Sequence, residues 1–253
     1  MGSDSVPQGR RELKPVPVTV TGAPGALWHP SENHGARRDA ARPDLIVLHH
    51  TAMDSAEAAL ERLCDPAPPQ GLSPVSAHYL IAEDGRLWQL VDEAARAWHA
   101  GVGQWGDVVD VNSRSIGIEL ANPAPNPFAE PQMARLEALL PGIMARWDIP
   151  PARVIGHSDM APGRKSDPGP KFDWRRLARQ GLAVWPEGAG AGAPGDFLHD
   201  LAAIGYRMPE GGVPEILLEA FRMRFRPWGR GPLGTADRAL AAQLARQVPV
   251  RRG

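Results

Sequence analysis

The apolar positions change period several times along the chain. Leu45-Ile-Val-Leu-His-His is a short, nearly continuous apolar run, the pattern of a strand buried on both faces. Ser115-Ile-Gly-Ile-Glu-Leu alternates: Ile116, Ile118 and Leu120 share one face, Gly117 and Glu119 the other. Ala77-His-Tyr-Leu-Ile-Ala and Arg86-Leu-Trp-Gln-Leu-Val flank Glu83-Asp84-Gly85, which predicts a hairpin with Gly at the turn. Arg153-Val-Ile-Gly-His reads as a further strand ending on His157. Helical spacing predicts helices over 55–65, with Ala59, Leu60 and Leu63 as the apolar stripe, and over 130–147, with Met133, Leu136, Leu140 and Met144. A shorter helix is expected over 173–180.

Residues 1–43 are rich in Pro, Gly, Arg and Asn, and only 16–20 resemble a strand there. Glu187-Gly-Ala-Gly-Ala-Gly-Ala-Pro-Gly195 reads as a flexible linker. Three helices are expected beyond it, over 196–206, 214–226 and 235–248, the second with Pro at its first turn. Strands mixed with helices predict an α/β fold, a mixed central β-sheet flanked by helices and followed by a small three-helix C-terminal domain. The boundaries are an N-terminal arm over 1–25, a main domain over 26–186, the linker over 187–195 and the helical domain over 196–253.

Composition narrows the function. With 28 basic and 29 acidic residues the formal net charge is −1, which argues against broad nucleic-acid binding. The 27 glycines and 27 prolines predict many turns, and eight tryptophans against two tyrosines are compatible with ring stacking or with aromatic core packing. One cysteine, Cys64, excludes an internal disulfide framework and is expected to be a small buried hydrophobe on its helix. No stretch approaches the ~18 apolar residues of a membrane span, and no apolar core follows the charged N-terminus. A cytoplasmic protein is the expectation, and a periplasmic one if a leader was removed.

His49, His50 and His157 stand at the carboxyl ends of expected strands, where α/β sheets gather their ligands, and alternation lets at most one of His49 and His50 face a given site. The loop after His157, Ser158-Asp-Met-Ala-Pro-Gly-Arg-Lys-Ser-Asp-Pro-Gly-Pro, is polar yet stiffened by prolines, so it can hold a carboxylate rigidly. Asp159 and Asp167 are the candidates, the latter braced by Pro168 and far enough along to fold back. Two imidazoles and one carboxylate suit Zn²⁺ with a fourth position left for water; histidines satisfied within the core are the competing reading. Glu119, a lone carboxylate in an apolar strand, is either ion-paired or used in chemistry.

These stretches, together with Ser76-Ala-His-Tyr-Leu-Ile, Ala97-Trp-His-Ala-Gly and Asn112-Ser-Arg-Ser-Ile-Gly-Ile-Glu-Leu, closely resemble the zinc-dependent N-acetylmuramoyl-L-alanine amidases. The AmpD/AmiD-type branch is the best match, on a fold shared with phage amidases and peptidoglycan recognition proteins. The resemblance covers about 26–186, and the tail more weakly resembles a small peptidoglycan-binding-type module. It implies His49, His157 and Asp167 as Zn²⁺ ligands, Glu119 as the carboxylate that activates water and Lys165 as the cation beside the scissile carbonyl. His50, Trp98, His99, Asn112 and Arg114 are implied substrate contacts. Ala77 stands where phage-type enzymes carry a tyrosine, which leaves proton transfer to Glu119. The implied substrates are peptidoglycan fragments, the 1,6-anhydromuropeptides of cell-wall recycling, or peptidoglycan itself, cleaved by a monomer. Non-catalytic peptidoglycan-binding proteins on this fold characteristically lose a metal ligand, and here the set is complete.

Overall fold

The computed structural model describes residues 21–186 and 195–248. Most of the expected N-terminal arm, its strand over 16–20 and nearly all of the expected linker lie outside the described residues. In chain order the strands are β1 (Leu27–Trp28), β2 (His34–Gly35), β3 (Leu45–His50), β4 (Tyr79–Ile81), β5 (Leu87–Gln89), β6 (Arg96–Ala97), β7 (Ser115–Leu120) and β8 (Val154–Gly156). The helices are α1 (Ala56–Cys64), α2 (Val111–Arg114), α3 (Glu130–Trp147), α4 (His157–Met160), α5 (Trp174–Arg179), α6 (Phe197–Ile204), α7 (Pro214–Phe225) and α8 (Thr235–Gln247).

Six strands form one mixed sheet in the order β1-β5-β4-β7-β3-β8. β4, β7, β3 and β8 run parallel, while β5 pairs antiparallel with β4 as the hairpin pattern predicts. β2 and β6 make a separate antiparallel pair. One expectation is corrected: His157 does not end a strand. β8 stops at Gly156, and His157 opens the short helix α4. Asp159 causes the switch, because its Oδ2 accepts from Gly156 N at 2.8 Å and turns the chain.

The alternation along β3 sorts its side chains onto two cores. Ile46 and Leu48 pack with Ile116, Ile118, Leu120, α3 and Trp174 on one face. Leu45 and Val47 pack on the other with Ile155 and with Phe197, Leu201, Phe221 and Phe225 of the C-terminal helices. A third cluster joins Leu80 and Trp88 to Ala56, Ala59 and Leu63 of α1. Leu80 and His49 both register against Glu119, so α1 and the C-terminal helices cover the same face of the sheet at different strands. Between them, β7 presents only Ser115, Gly117 and Glu119 to that face.

The C-terminal helices are tied to this framework by buried polar contacts. Tyr206 donates to Asp159 Oδ1 at 2.5 Å, and Arg224 donates to Asp159 Oδ2 at 2.6 Å and to Val154 O at 3.1 Å. The Arg224 guanidinium also lies over the Trp174 ring, 4.1 Å from its centroid. Gly205 lets Trp105 approach so closely that a Cβ there would meet the indole at 2.4 Å.

Candidate metal centre and catalytic cleft

β3 and β7 lie side by side with His49 opposite Glu119, and parallel register puts both side chains on one face at the carboxyl end of the sheet. His157 arrives from α4. Asp167 is returned by the loop, whose backbone closes on α4 through Ser158 N donating to Asp167 O at 2.9 Å. Gly156 permits the return, since a Cβ there would meet Pro168 Cδ at 2.8 Å.

The result is a triangle of donor atoms. His49 Nδ1, His157 Nδ1 and Asp167 Oδ2 stand 3.0 Å from one another on every side, and all three residues are buried. Surrounding hydrogen bonds fix which ring nitrogens carry protons. Val111 O can only accept, so the Ser115 hydroxyl donates to it at 2.5 Å. Ser115 Oγ then accepts from His99 Nε2–H at 3.1 Å, which leaves His99 Nδ1 to accept from His49 Nε2–H at 3.0 Å. His49 therefore turns a bare Nδ1 to the triangle. His157 reaches the same state by donating Nε2–H to Ala100 O at 2.8 Å; Arg164 donates to the same carbonyl and stands farther from the ring, at 3.3 Å.

Burial, then the neighbouring His157, pushes the His49 imidazole down to about 4, so it is neutral at pH 7. His99 is likewise held well below the usual imidazole range, by burial and then by His49. Three bare acceptors at 3.0 Å repel one another unless a cation lies among them. Two imidazole nitrogens and a carboxylate oxygen, with the rings oriented from behind by hydrogen bonds, are the donor set of a divalent transition metal. The residues fit a metal ion.

Glu119 lines the same cleft, and its sealed Oε2 has no hydrogen-bond partner among the described residues. Among the described residues, no ion pair of the kind that would make it structural is formed. Burial, then the Asp167 carboxylate, pushes its carboxyl up to about 8. Lys165 is exposed, lines the cleft and makes no salt bridge among the described residues. The cleft holds about 270 Å³, and Met53, Leu63 and Val75 are among its apolar lining residues.

Of the expected substrate contacts, His50 and His99 line the cleft. His50 Nδ1 faces Pro168 O at 3.3 Å, and the His99 ring fits over β7 only because Gly117 has no Cβ, which would meet it at 2.5 Å. The other three are placed elsewhere. Asn112 spends its Oδ1 on the backbone N–H groups of His99 and Ala100. Arg114 is paired with Asp44 at the opposite end of β7, about 17 Å of strand away from the cleft. Trp98 is held through its backbone by Ser76 and does not line the cleft. Ser115 escaped the sequence reading, although a hydroxyl on the Gly117–Glu119 face of an apolar strand was a usable signal.

A family model described as N-acetylmuramoyl-L-alanine amidase matches residues 39–170. The N-acetylmuramoyl-L-alanine amidase AmiD of Escherichia coli K12 is 36% identical over 217 residues, 74% of this chain and 76% of the relative. The solved complex of AmiD from E. coli with anhydro-N-acetylmuramic acid-L-Ala-D-gamma-Glu-L-Lys superposes with a TM-score of 0.73 at 34% identity, covering 84% of this chain and 92% of that one. AmpDh3 from Pseudomonas aeruginosa in complex with anhydromuramic pentapeptide gives 0.72 at 32% identity, covering 88% and 96%.

Proposed function

The chain belongs to the N-acetylmuramoyl-L-alanine amidase family, and from that premise we propose that it is a zinc enzyme acting on 1,6-anhydromuramyl peptides. The observation that carries the proposal is the triangle of bare acceptors beside a partnerless glutamate. His49, His157 and Asp167 would hold the ion, and zinc suits two imidazoles and a carboxylate with one position open. Bound there, it supplies Lewis-acid polarisation and lowers the pKa of water to about 7.

The remaining work falls to the chain. Glu119 takes a proton from the attacking water, and the hydroxyl oxygen adds to the lactyl carbonyl carbon that joins muramic acid to L-alanine. Lys165 places its ammonium against the oxygen that gains charge. Protonated Glu119 returns its proton to the alanine nitrogen as the C–N bond breaks, leaving a muramyl carboxylate and a free peptide amine. Burial raises the Glu119 carboxyl to about 8, and a divalent charge beside it would bring that value down toward 7, the range in which one group serves as base and then as acid. His50 and His99 contact substrate at the cleft wall.

A muropeptide of this kind is a recycling intermediate, and we place the reaction in the cytoplasm of a bacterial cell, carried out by a monomer. A chain with a single cysteine calls for no oxidising compartment; recovery with periplasmic markers on fractionation would move it there. The test of function is incubation of purified protein with anhydromuramyl-tripeptide and with polymeric wall, with and without chelator. Release of a peptide amine that chelator abolishes and added zinc restores is expected. Binding without release would leave only a recognition protein.

A further inference from the structure

His49 is fixed by the sheet, but His157 is carried by α4, a helix of four residues. A single turn does not hold itself in place by its own hydrogen bonds. Two outside holds act on it. The backbone is held through Asp159, which accepts from Gly156 N at 2.8 Å where β8 turns into α4. The ring is held by Ala100 O, which accepts from His157 Nε2–H at 2.8 Å. The loop after Ala100 rests on α4: Gln104 N donates to Met160 O at 2.8 Å, and a Cβ on Gly103 would meet that oxygen at 2.4 Å.

Both holds lead to the C-terminal helices. Tyr206 and Arg224 supply the other two donors to Asp159, at 2.5 and 2.6 Å. The second branch of Arg224 reaches Val154 O at 3.1 Å, so one guanidinium spans β8 and α4, on either side of the junction that presents His157. The loop after Ala100 is anchored at the same place. Gly106 N donates to Gly205 O at 2.7 Å, and Trp105 meets the Tyr206 ring edge-on with centroids 5.0 Å apart. Tyr206 therefore serves both holds, its hydroxyl on Asp159 and its ring on Trp105. Asp159, Trp105, Tyr206 and Arg224 are all buried, and neither Tyr206 nor Arg224 lines the catalytic cleft.

We propose that Tyr206 and Arg224 are positioning residues of the metal centre: through Asp159 and Trp105, the C-terminal helices set the place of His157 Nδ1 in the triangle. The proposal rests on the metal reading of that triangle. Ligand atoms work only when held to within about 0.5 Å of their productive geometry, and a one-turn helix cannot supply that precision unaided. A role confined to stabilising the fold makes a different prediction, namely that any variant still folded keeps its native metal affinity.

The experiment measures zinc affinity by chelator competition and the visible spectrum of the cobalt-substituted full chain, at a temperature where circular dichroism shows each variant folded. Tyr206→Phe keeps the ring against Trp105 and removes one donor from Asp159. Arg224→Met removes the guanidinium, and Arg224→Lys can still donate to Asp159. Asp237→Asn is the control, since Asp237 binds Arg222, Arg226 and Gly234 within the C-terminal helices. Arg224→Met should weaken zinc about 10- to 100-fold, the range for groups that orient a ligand from behind. Tyr206→Phe should weaken it about three- to tenfold, the yield of one hydrogen bond. Arg224→Lys should recover most of the loss, and the cobalt bands should move in step with affinity. Asp237→Asn should lower the unfolding midpoint and leave affinity and spectrum native. Folded Tyr206→Phe and Arg224→Met proteins with native affinity and spectrum would overturn the proposal, as would an Asp237→Asn protein that loses as much as Arg224→Met. If Arg224→Met does not fold, Tyr206→Phe and Arg224→Lys decide by the same criterion. A native protein that binds neither zinc nor cobalt would remove the metal centre itself, a separate result.

Discussion

Asp159 and Asp167 lie on the same turn and loop after β8, and their surroundings are opposite. Asp159 is saturated with donors: Gly156 N, Tyr206 Oη and Arg224 all give it hydrogens. Asp167 faces two ring nitrogens that have none to give. Glu93 and Glu119 repeat the contrast, the first receiving hydrogens from Tyr79, Arg146 and Trp147 and the second leaving an oxygen without a partner. Burial does not mark the functional acids here, since Asp159 and Glu93 are the more deeply buried and Glu119 is only half-buried. The supply of donors does. A carboxylate whose hydrogens are provided holds the fold together, and one set among acceptors waits for a cation or a proton.

The largest break in that comparison is Glu119→Gln. It should retain metal and fold while losing about 10²- to 10⁴-fold in kcat, the range of a general acid–base group. Turnover at the native rate would remove Glu119 from the proton path. Arg224→Met attacks the saturated side. Leaving the Asp159 charge buried without its cation should cost about 3–5 kcal/mol in denaturant unfolding. A midpoint unchanged from the native protein would mean that the C-terminal helices do not hold α4.

Smaller effects test the hydrogen-bond relay. Ser115→Ala removes the group that orients His99 and, through it, His49. Metal affinity measured by chelator competition should fall about 10- to 100-fold with little change in thermal midpoint. An unaltered affinity would show that His49 needs no such support. The smallest effect is on pH. Burial holds His49 at about 4 and His78 at about 3, whereas both titrate near 6.5 in an unfolded chain. Glu119, raised to about 8, binds its proton more tightly when folded and offsets about one ring; the unfolded metal-free protein still binds more protons on balance, and stability is lost as pH falls from about 6.5 toward 4, with each ring contributing up to about 1.4 kcal/mol per pH unit. A flat profile over that window would contradict the buried, neutral state of both.

Much of the frame was legible in the sequence. β3, β7 and α3 have the bounds their periodicity predicts, because runs of six or more residues give a pattern enough repeats to register. Two-residue strands such as β1, β2 and β6 carry no periodicity and went unread. The resemblance located the triangle, but motif neighbours mislead about direction. Arg114 is close to Glu119 in sequence and stands at the other end of the same strand. Asp159 and Asp167 could not be separated by spacing alone, since the donors that occupy Asp159 come from the distant C-terminal helices. Arg224 did leave a trace. It sits on the apolar face of α7 with Leu217, Phe221 and Phe225, where a charge demands a buried partner.

The central claim is that His49, His157 and Asp167 converge because they hold one divalent ion. Metal content of the purified protein by mass spectrometry, set beside Asp167→Ala and Asp159→Asn, tests it most directly. One equivalent of zinc is predicted in the native protein and in Asp159→Asn that remains folded, and none in Asp167→Ala. A native protein that cleaves its substrate while carrying no stoichiometric metal, or an Asp167→Ala variant that keeps its full equivalent, would contradict the account.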